Sequence, residues 1–271
     1  MSENVHFLLL QLSLLAVVLV LHTYIGLHIV RRTLIFSDLV LDQLAALGAL
    51  VGLGLGVAYA TPGSYVASTV MVLLGAALLA GIKPANPLIP REAVIGILYA
   101  AALVGSLLVG DKLSGGEAYV TKTLTGSMVW VSWPLVGVTA AVYAVLLLFH
   151  TIYRRKFIEL ASGRCDRERT WDFLLFATQG IITVLIVPIA GVLLAYAFLM
   201  IPAAIAAMFT RSWGPAVAFG WGVGFGACAV GCVCSCVWGL PYGPTLVLSL
   251  GGAFLAAMFV RAVLPGRAAK P

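Results

Sequence analysis

Apolar residues fill most of the chain in long runs, separated by short stretches rich in Pro, Gly and charged residues. Nine runs approach or exceed the roughly 20 residues that a helix needs to cross a bilayer: 7–30, 38–60, 64–82, 92–110, 128–151, 171–187, 189–209, 215–238 and 243–263. In lipid the backbone must satisfy its own hydrogen bonds, which leaves helices or closed barrels. The runs lack the strict alternation of barrel strands. We therefore predict an all-α polytopic membrane protein with about nine transmembrane helices.

The positive charges predict the orientation of these helices. With the N-terminus outside, fourteen of the sixteen Lys and Arg residues fall on the cytoplasmic side, and only Lys112 and Lys122 remain outside. Positive residues favour cytoplasmic loops, so we expect the N-terminus outside and the C-terminus in the cytoplasm. The boundary at Pro188 decides this count, because one kinked helix over 171–209 would reverse every later segment.

Composition narrows the class of protein. Of 271 residues, 62% are hydrophobic and 10% charged, against about 25% charged in soluble domains, and the mean hydropathy is +1.09. We expect one transmembrane permease domain over 1–271, without a soluble catalytic domain. The net charge of +6 follows membrane topology and does not indicate nucleic-acid binding. The N-terminus lacks a basic region and a cleavage site, so we expect the first helix to be retained.

Two carboxylates lie in the second apolar run. Asp38 and Asp42 are four residues apart and so share a helical face. Intramembrane carboxylates are costly and usually mark an ion or substrate route, and two of them suit a hard or borderline divalent cation. The alternative is that Asp38 is solvated or paired near the inner interface. The neighbouring Gln43 suits a packing hydrogen bond as well as a substrate contact.

Small residues continue the same face. Ala45, Ala49, Gly52 and Gly56 point within about 40° of the carboxylates on an ideal helix. Such residues let helices pack closely, and lining a pathway is the other interpretation for Gly52 and Gly56. A second set, Cys228, Cys232 and Cys236, shares a face of the eighth run, where thiolates could bind metal but small buried apolar side chains explain the pattern as well.

Four segments, taken in order, resemble ABC-type permeases that import manganese, zinc or iron. They are the basic stretch Arg31–Gly48 with both Asp residues, Leu124–Ser132, the apolar segment Gly191–Phe209 around Pro202, and Leu240–Leu248. The resemblance covers nearly the whole chain. It implies a permease subunit that moves a divalent metal ion, manganese, iron or zinc, by alternating access.

The resemblance also implies roles for single residues. Asp38 matches the family's metal-contacting Asp, and the family's His four residues later falls on Asp42, or on Gln43 if the alignment slips by one. An all-oxygen pair favours manganese or iron over zinc. Pro202 lies in the matching proline motif and is expected to shape or gate the pathway, with a static kink as the alternative.

The partners follow from the same resemblance. The inner loop holding Glu159, Arg164, Asp166 and Arg167 occupies the position where the family docks on its ATPase, although it lacks the family's Asp-Pro-Glu signature. The alternative is a basic loop without a partner. We expect a cytoplasmic ABC ATPase dimer that binds ATP, an extracytoplasmic substrate-binding protein, and a homodimer of this chain in a bacterial inner (plasma) membrane. We expect no cofactor on this chain.

Two other functions stay open. The Asp pair could serve a secondary transporter driven by an ion gradient, although the inverted repeats of such proteins are not evident, and an ABC permease could carry a non-metal cargo. An intramembrane enzyme is not expected, because the sequence holds no metal-binding H-E-x-x-H motif. It also holds no nucleotide-binding P-loop, so ATP hydrolysis is expected on a separate subunit.

Overall fold

The computed structural model of the protein describes residues 3–84, 88–126 and 131–263, with side chains from His6 onward. These residues form ten helices and no strand. The helices are α1 (Glu3–Arg31), α2 (Phe36–Gly54), α3 (Pro62–Gly81), α4 (Arg91–Asp111), α5 (Gly116–Thr125), α6 (Trp133–Ile152), α7 (Arg154–Ala161), α8 (Glu168–Phe209), α9 (Trp213–Trp238) and α10 (Tyr242–Val263). The described residues do not include 127–130, which belong to two of the segments discussed above. They also do not include Arg267 and Lys270, which were counted among the cytoplasmic charges.

Eight of the described helices are long and apolar enough to cross a membrane. The other two are the short α5 and α7. The predicted all-α membrane fold is therefore correct. The structure joins the predicted segments 171–187 and 189–209 into the single element α8, which accounts for eight candidate spans where the sequence predicted nine.

The long helix α8 is broken at Gly191. Forty-two residues would extend about 63 Å as a straight helix, twice the roughly 30 Å of a bilayer core. Gly191 has φ 77° and ψ 162°, a region that is essentially open to glycine alone. The predicted break at Pro188 is wrong by three residues. The fixed φ of proline is compatible with a helix, whereas the backbone of Gly191 is not.

Both ends of α8 lie beside the C-terminal end of α1. An Arg32 nitrogen is 2.6 Å from Asp172 Oδ1 near the start of α8. Arg31 donates to the carbonyl of Arg211, two residues after the end of α8, at 2.9 Å. The chain therefore doubles back at Gly191, so α8 consists of two antiparallel halves. The number of membrane crossings and their orientation stay predictions.

The doubled helix forms the centre of the molecule. In its most apolar stretch 72% of the residues of α8 are buried, against 11% in α10, so α10 presents most of its surface outward. Close approach of α1 to α8 requires Gly26, because a Cβ there would overlap the Leu199 carbonyl and lie 2.8 Å from Ala203 Cβ. Likewise a Cβ on Gly48 would lie 2.7 Å from the Ser68 Cα of α3. These contacts pack α1 against α8 and α2 against α3.

Candidate functional site

The predicted carboxylate pair faces the first half of α8. Asp38 and Asp42 are buried, with exposed fractions of 1% and 0%. Gln179 donates from Nε2 to Asp38 Oδ1 at 2.9 Å, and Thr183 donates from Oγ1 to Asp42 Oδ1 at 3.0 Å. Two residues four apart on α2 thus meet two residues four apart on α8, and both pairs belong to one chain.

One oxygen of each carboxylate has no partner among the described residues. Asp38 Oδ2, Asp42 Oδ2 and Gln179 Oε1 are buried and accept no hydrogen bond there. Leaving buried acceptors unsatisfied costs about 1–3 kcal/mol for a neutral group and more for a charged one. These three unpartnered oxygens belong to side chains that are hydrogen-bonded neighbours. Together they form a set of oxygen ligands that suits a hard cation.

The sequence found the carboxylates but only part of their surroundings. It missed Thr183, because a lone Thr in an apolar run carries no special signal. Gln43 is buried with no partner for Nε2 in the described part of the chain. The described residues hold no group of three or more His, Cys, Asp or Glu placed to bind a metal. The site is therefore built from carboxylate, amide and hydroxyl oxygens.

The small residues assigned to the pathway do not gather at this site. Gly52 lies on α2, where an added Cβ would lie 3.2 Å from the Ala67 Cβ of α3, as close helix packing requires. Gly56 lies beyond the end of α2 and has φ +84°, so the predicted helical face does not extend to it. The helix ends at Gly54 because Leu55 and Gly56 leave helical geometry.

Pro202 lies in the second half of α8 and packs against α9. Its Cγ would lie 2.7 Å from a Cβ placed on Gly224, and its carbonyl oxygen 2.7 Å from one placed on Gly220. The two glycines of α9 thus make room for the proline ring and the proline's carbonyl oxygen. Pro202 contributes to the α8–α9 contact, and its role in gating stays a prediction.

A buried ion-pair network joins the chain segments at the basic end of the same helices. Asp172, fully buried at 0% exposed, lies between Arg32 at 2.6 Å and Arg91 at 3.1 Å. One turn earlier Glu168 pairs with Lys83. In the sequence, these basic residues served only to predict the orientation of the helices in the membrane. The spacing of Glu168 and Asp172, four apart at the start of a helix, was the available clue.

The predicted coupling loop forms an exposed surface at this end. Arg164, Asp166 and Arg167 are exposed, and Glu159 is half-buried. Lys156 donates to Glu159 at 3.0 Å, and this hydrogen bond raises the pKa of the Lys156 ammonium. The buried side chains of α7, Phe157 and Leu160, hold the loop against the helices. The structure therefore brings the four predicted residues to one region.

Comparison with known proteins agrees with this architecture. The sequence profile of the ABC 3 transport family matches residues 5–261. PsaBC from Streptococcus pneumoniae, solved in complex with a Fab, is similar in fold with a TM-score of 0.76 and 22% identity, over 94% of this chain and 92% of that one. An uncharacterized membrane protein of Synechocystis, slr2045, is 26% identical over 180 residues, and the chain covers 63% of its length.

Proposed function

Because the chain belongs to the ABC 3 transport family, we propose that it is the permease subunit of an ATP-driven importer of a divalent metal ion. The observation that carries the cargo assignment is the buried pair Asp38 and Asp42, each with one oxygen held by α8 and the other without a partner in the described residues. A buried carboxylate is stable as an ion only when it is paired or binds a metal. A passing divalent cation would supply that charge.

The donor set favours manganese or iron(II) over zinc. Two carboxylates, the Gln179 carbonyl and the Thr183 hydroxyl offer oxygen only. Harder cations prefer such ligands, whereas imidazole and thiolate favour zinc. Gln43 borders the set, and its amide oxygen is a further candidate ligand. Gln179 and Thr183 each orient one carboxylate oxygen, which leaves the second oxygen of each carboxylate for the ion.

Transport follows alternating access. Asp172 precedes Gln179 by seven residues on α8, which is about 10 Å along the helix. The Arg32–Asp172–Arg91 network therefore lies between the carboxylates and the basic end, and it keeps that end closed in this conformation. Opening the route requires these ion pairs to separate, at the expense of ATP hydrolysis on a partner.

The partners follow from family membership and from the charge distribution. Two ABC ATPases dock at the basic, cytoplasmic end on the loop of Glu159, Arg164, Asp166 and Arg167, and a binding protein delivers metal to the outer end. Two copies of the chain form the transmembrane part in a bacterial plasma membrane, with nine crossings each. The doubling back of α8 supports this count, because each half is long enough to span the core.

The test is uptake of radioactive manganese, with iron(II) and zinc as competitors, into proteoliposomes holding the full complex. Removing a group that holds a metal ligand by a hydrogen bond, as Thr183 holds Asp42, costs metal sites about 10–100-fold in affinity. We expect Thr183→Val to weaken uptake within that range and Asp42→Asn to weaken it by at least about 100-fold. Asp111→Asn is the matched control, because Asp111 is an exposed carboxylate at the end of α4, and it should transport normally.

Three results would contradict parts of the proposal. ATP hydrolysis that no metal stimulates would refute the assignment of a metal cargo, and the assignment as an ABC permease would still hold. Uptake driven by a proton gradient, without a co-purifying ATPase, would establish a secondary transporter. If Asp42→Asn and Asp111→Asn changed metal uptake equally, the buried carboxylate pair would not be part of the transport route.

A further inference from the structure

A large groove lies on the outside of the bundle, away from the carboxylate pair. It has a volume of about 830 Å³ and runs over α1 between α6 and α9, with α7 closing one end. Volumes of about 300–1,000 Å³ are typical of small-molecule sites. No described helix fills this groove, and the function proposed above does not use it.

The groove is polar at one end only. At the basic end it is lined by Arg154, Arg155, Thr151 and Trp213, and deeper by Val20, Leu147, Val217, Ala218 and Trp221. Trp213 and Trp221 are eight residues apart on α9, about 12 Å along the helix. One leaflet contributes about half of the 30 Å hydrocarbon core. The groove therefore has the depth and the polarity gradient of a single leaflet.

The two arginines at the mouth lack acidic partners. Arg154 and Arg155 are exposed, and their side chains make no ion pair or hydrogen bond within the described ranges. Two further polar atoms on the groove wall, the Tyr24 hydroxyl and His150 Nδ1, are buried and have no partner there. His150 is held in place through Nε2, 2.9 Å from the Thr178 hydroxyl. Thr178 donates its own proton to α8 carbonyls, so it accepts from His150 Nε2, which leaves Nδ1 as an acceptor. Three groups at the entrance, the two arginines and the Tyr24 hydroxyl, can therefore donate to an anion.

We propose that this groove binds an anionic glycerophospholipid of the cytoplasmic leaflet. Its phosphate would lie between Arg154 and Arg155, near the Tyr24 hydroxyl, and one acyl chain would follow the apolar wall toward Trp221. Basic pockets between helices on the cytoplasmic side suit such headgroups. An unfilled apolar groove forfeits dispersion contacts along its lining, which a flexible chain restores better than a bulky protein surface does. The proposal rests on the membrane location and not on the cargo.

The first test compares lipids by native mass spectrometry of the full chain purified from membranes. Dioleoylphosphatidylglycerol should bind more tightly than dioleoylphosphatidylcholine. A basic residue near an anionic surface contributes about 1 kcal/mol, so Arg154→Ala combined with Arg155→Ala should weaken phosphatidylglycerol binding roughly 30-fold. Arg261→Ala, which removes an exposed arginine near the end of α10, should leave binding unchanged. Equal binding of the two lipids, or equal effects of both variants, would overturn the proposal.

The second test blocks the apolar part of the groove without touching the charges. Ala218 is exposed on the groove wall, so Ala218→Trp should prevent labelling of residues 213–221 by phosphatidylglycerol with a photoactivatable acyl chain. Ala256→Trp is the control, because Ala256 is exposed on the outward-facing α10. The lipid site would be refuted if residues 213–221 were still labelled in Ala218→Trp. It would also be refuted if these residues crosslinked two copies of the chain, because a second copy would then occupy the groove. Metal uptake by the control is a separate readout of the proposed transport function.

Discussion

Substituting Gly191 by alanine tests the reversal of α8, on which the arrangement of the whole bundle depends. At φ 77° and ψ 162° an L side chain is strained by about 1–3 kcal/mol. The new Cβ would also meet backbone atoms, 2.6 Å from the Leu124 carbonyl oxygen and in closer contact with the Gly126 nitrogen. Backbone cannot rotate away as a side chain can, so we add the roughly 1–3 kcal/mol typical of overpacking. The expected loss of stability is about 2–6 kcal/mol.

The assay is reversible unfolding of the full chain in mixed micelles by a denaturing detergent, followed by tryptophan fluorescence. Gly222→Ala is the matched control, because Gly222 lies within α9 and an added Cβ would meet nothing within 4 Å. Alanine there should be neutral or stabilising by up to about 1 kcal/mol, the difference in helix propensity. A loss below about 1 kcal/mol in Gly191→Ala, with the control as expected, would refute the close backbone approach between α5 and α8.

Two further predictions concern the ends of the molecule. Asp172→Asn leaves Arg32 and Arg91 without their buried partner and should destabilise the protein by about 3–5 kcal/mol, whereas Asp166→Asn, on the exposed loop, should change the melting temperature little. At the other end burial raises the pKa of Tyr59 to about 12. Its phenol should therefore remain protonated to about pH 11, and the ultraviolet titration difference between wild type and Tyr59→Phe checks this. A Tyr59 phenolate that forms near pH 10 would show that the ring is solvated.

The fold class could be read from sequence because lipid imposes one rule on every segment. Each span must satisfy its own backbone, so the apolar runs alone predicted α3, α4, α9 and α10 to within two residues. The helix α1 begins four residues earlier than its run, and α6 begins five residues later. The structure differs from these predictions at α2 and α8, where glycines determine the end of one helix and the break in the other. Gly56 was assigned to a helix that ends at Gly54, and the break assigned to Pro188 lies at Gly191. Neither position is marked by periodicity, because both depend on backbone angles.

The candidate site divides in the same way. The sequence by itself identified Asp38 and Asp42, since a carboxylate in an apolar run is costly wherever the run packs. It could not identify Thr183 or the Arg32–Asp172 pair, because their partners lie more than a hundred residues away in the chain. Only the tertiary structure decided which helix faces the carboxylates, since packing of the whole bundle brings Gln179 and Thr183 of α8 beside α2. It leaves three buried oxygens without partners in the part of the chain that is described.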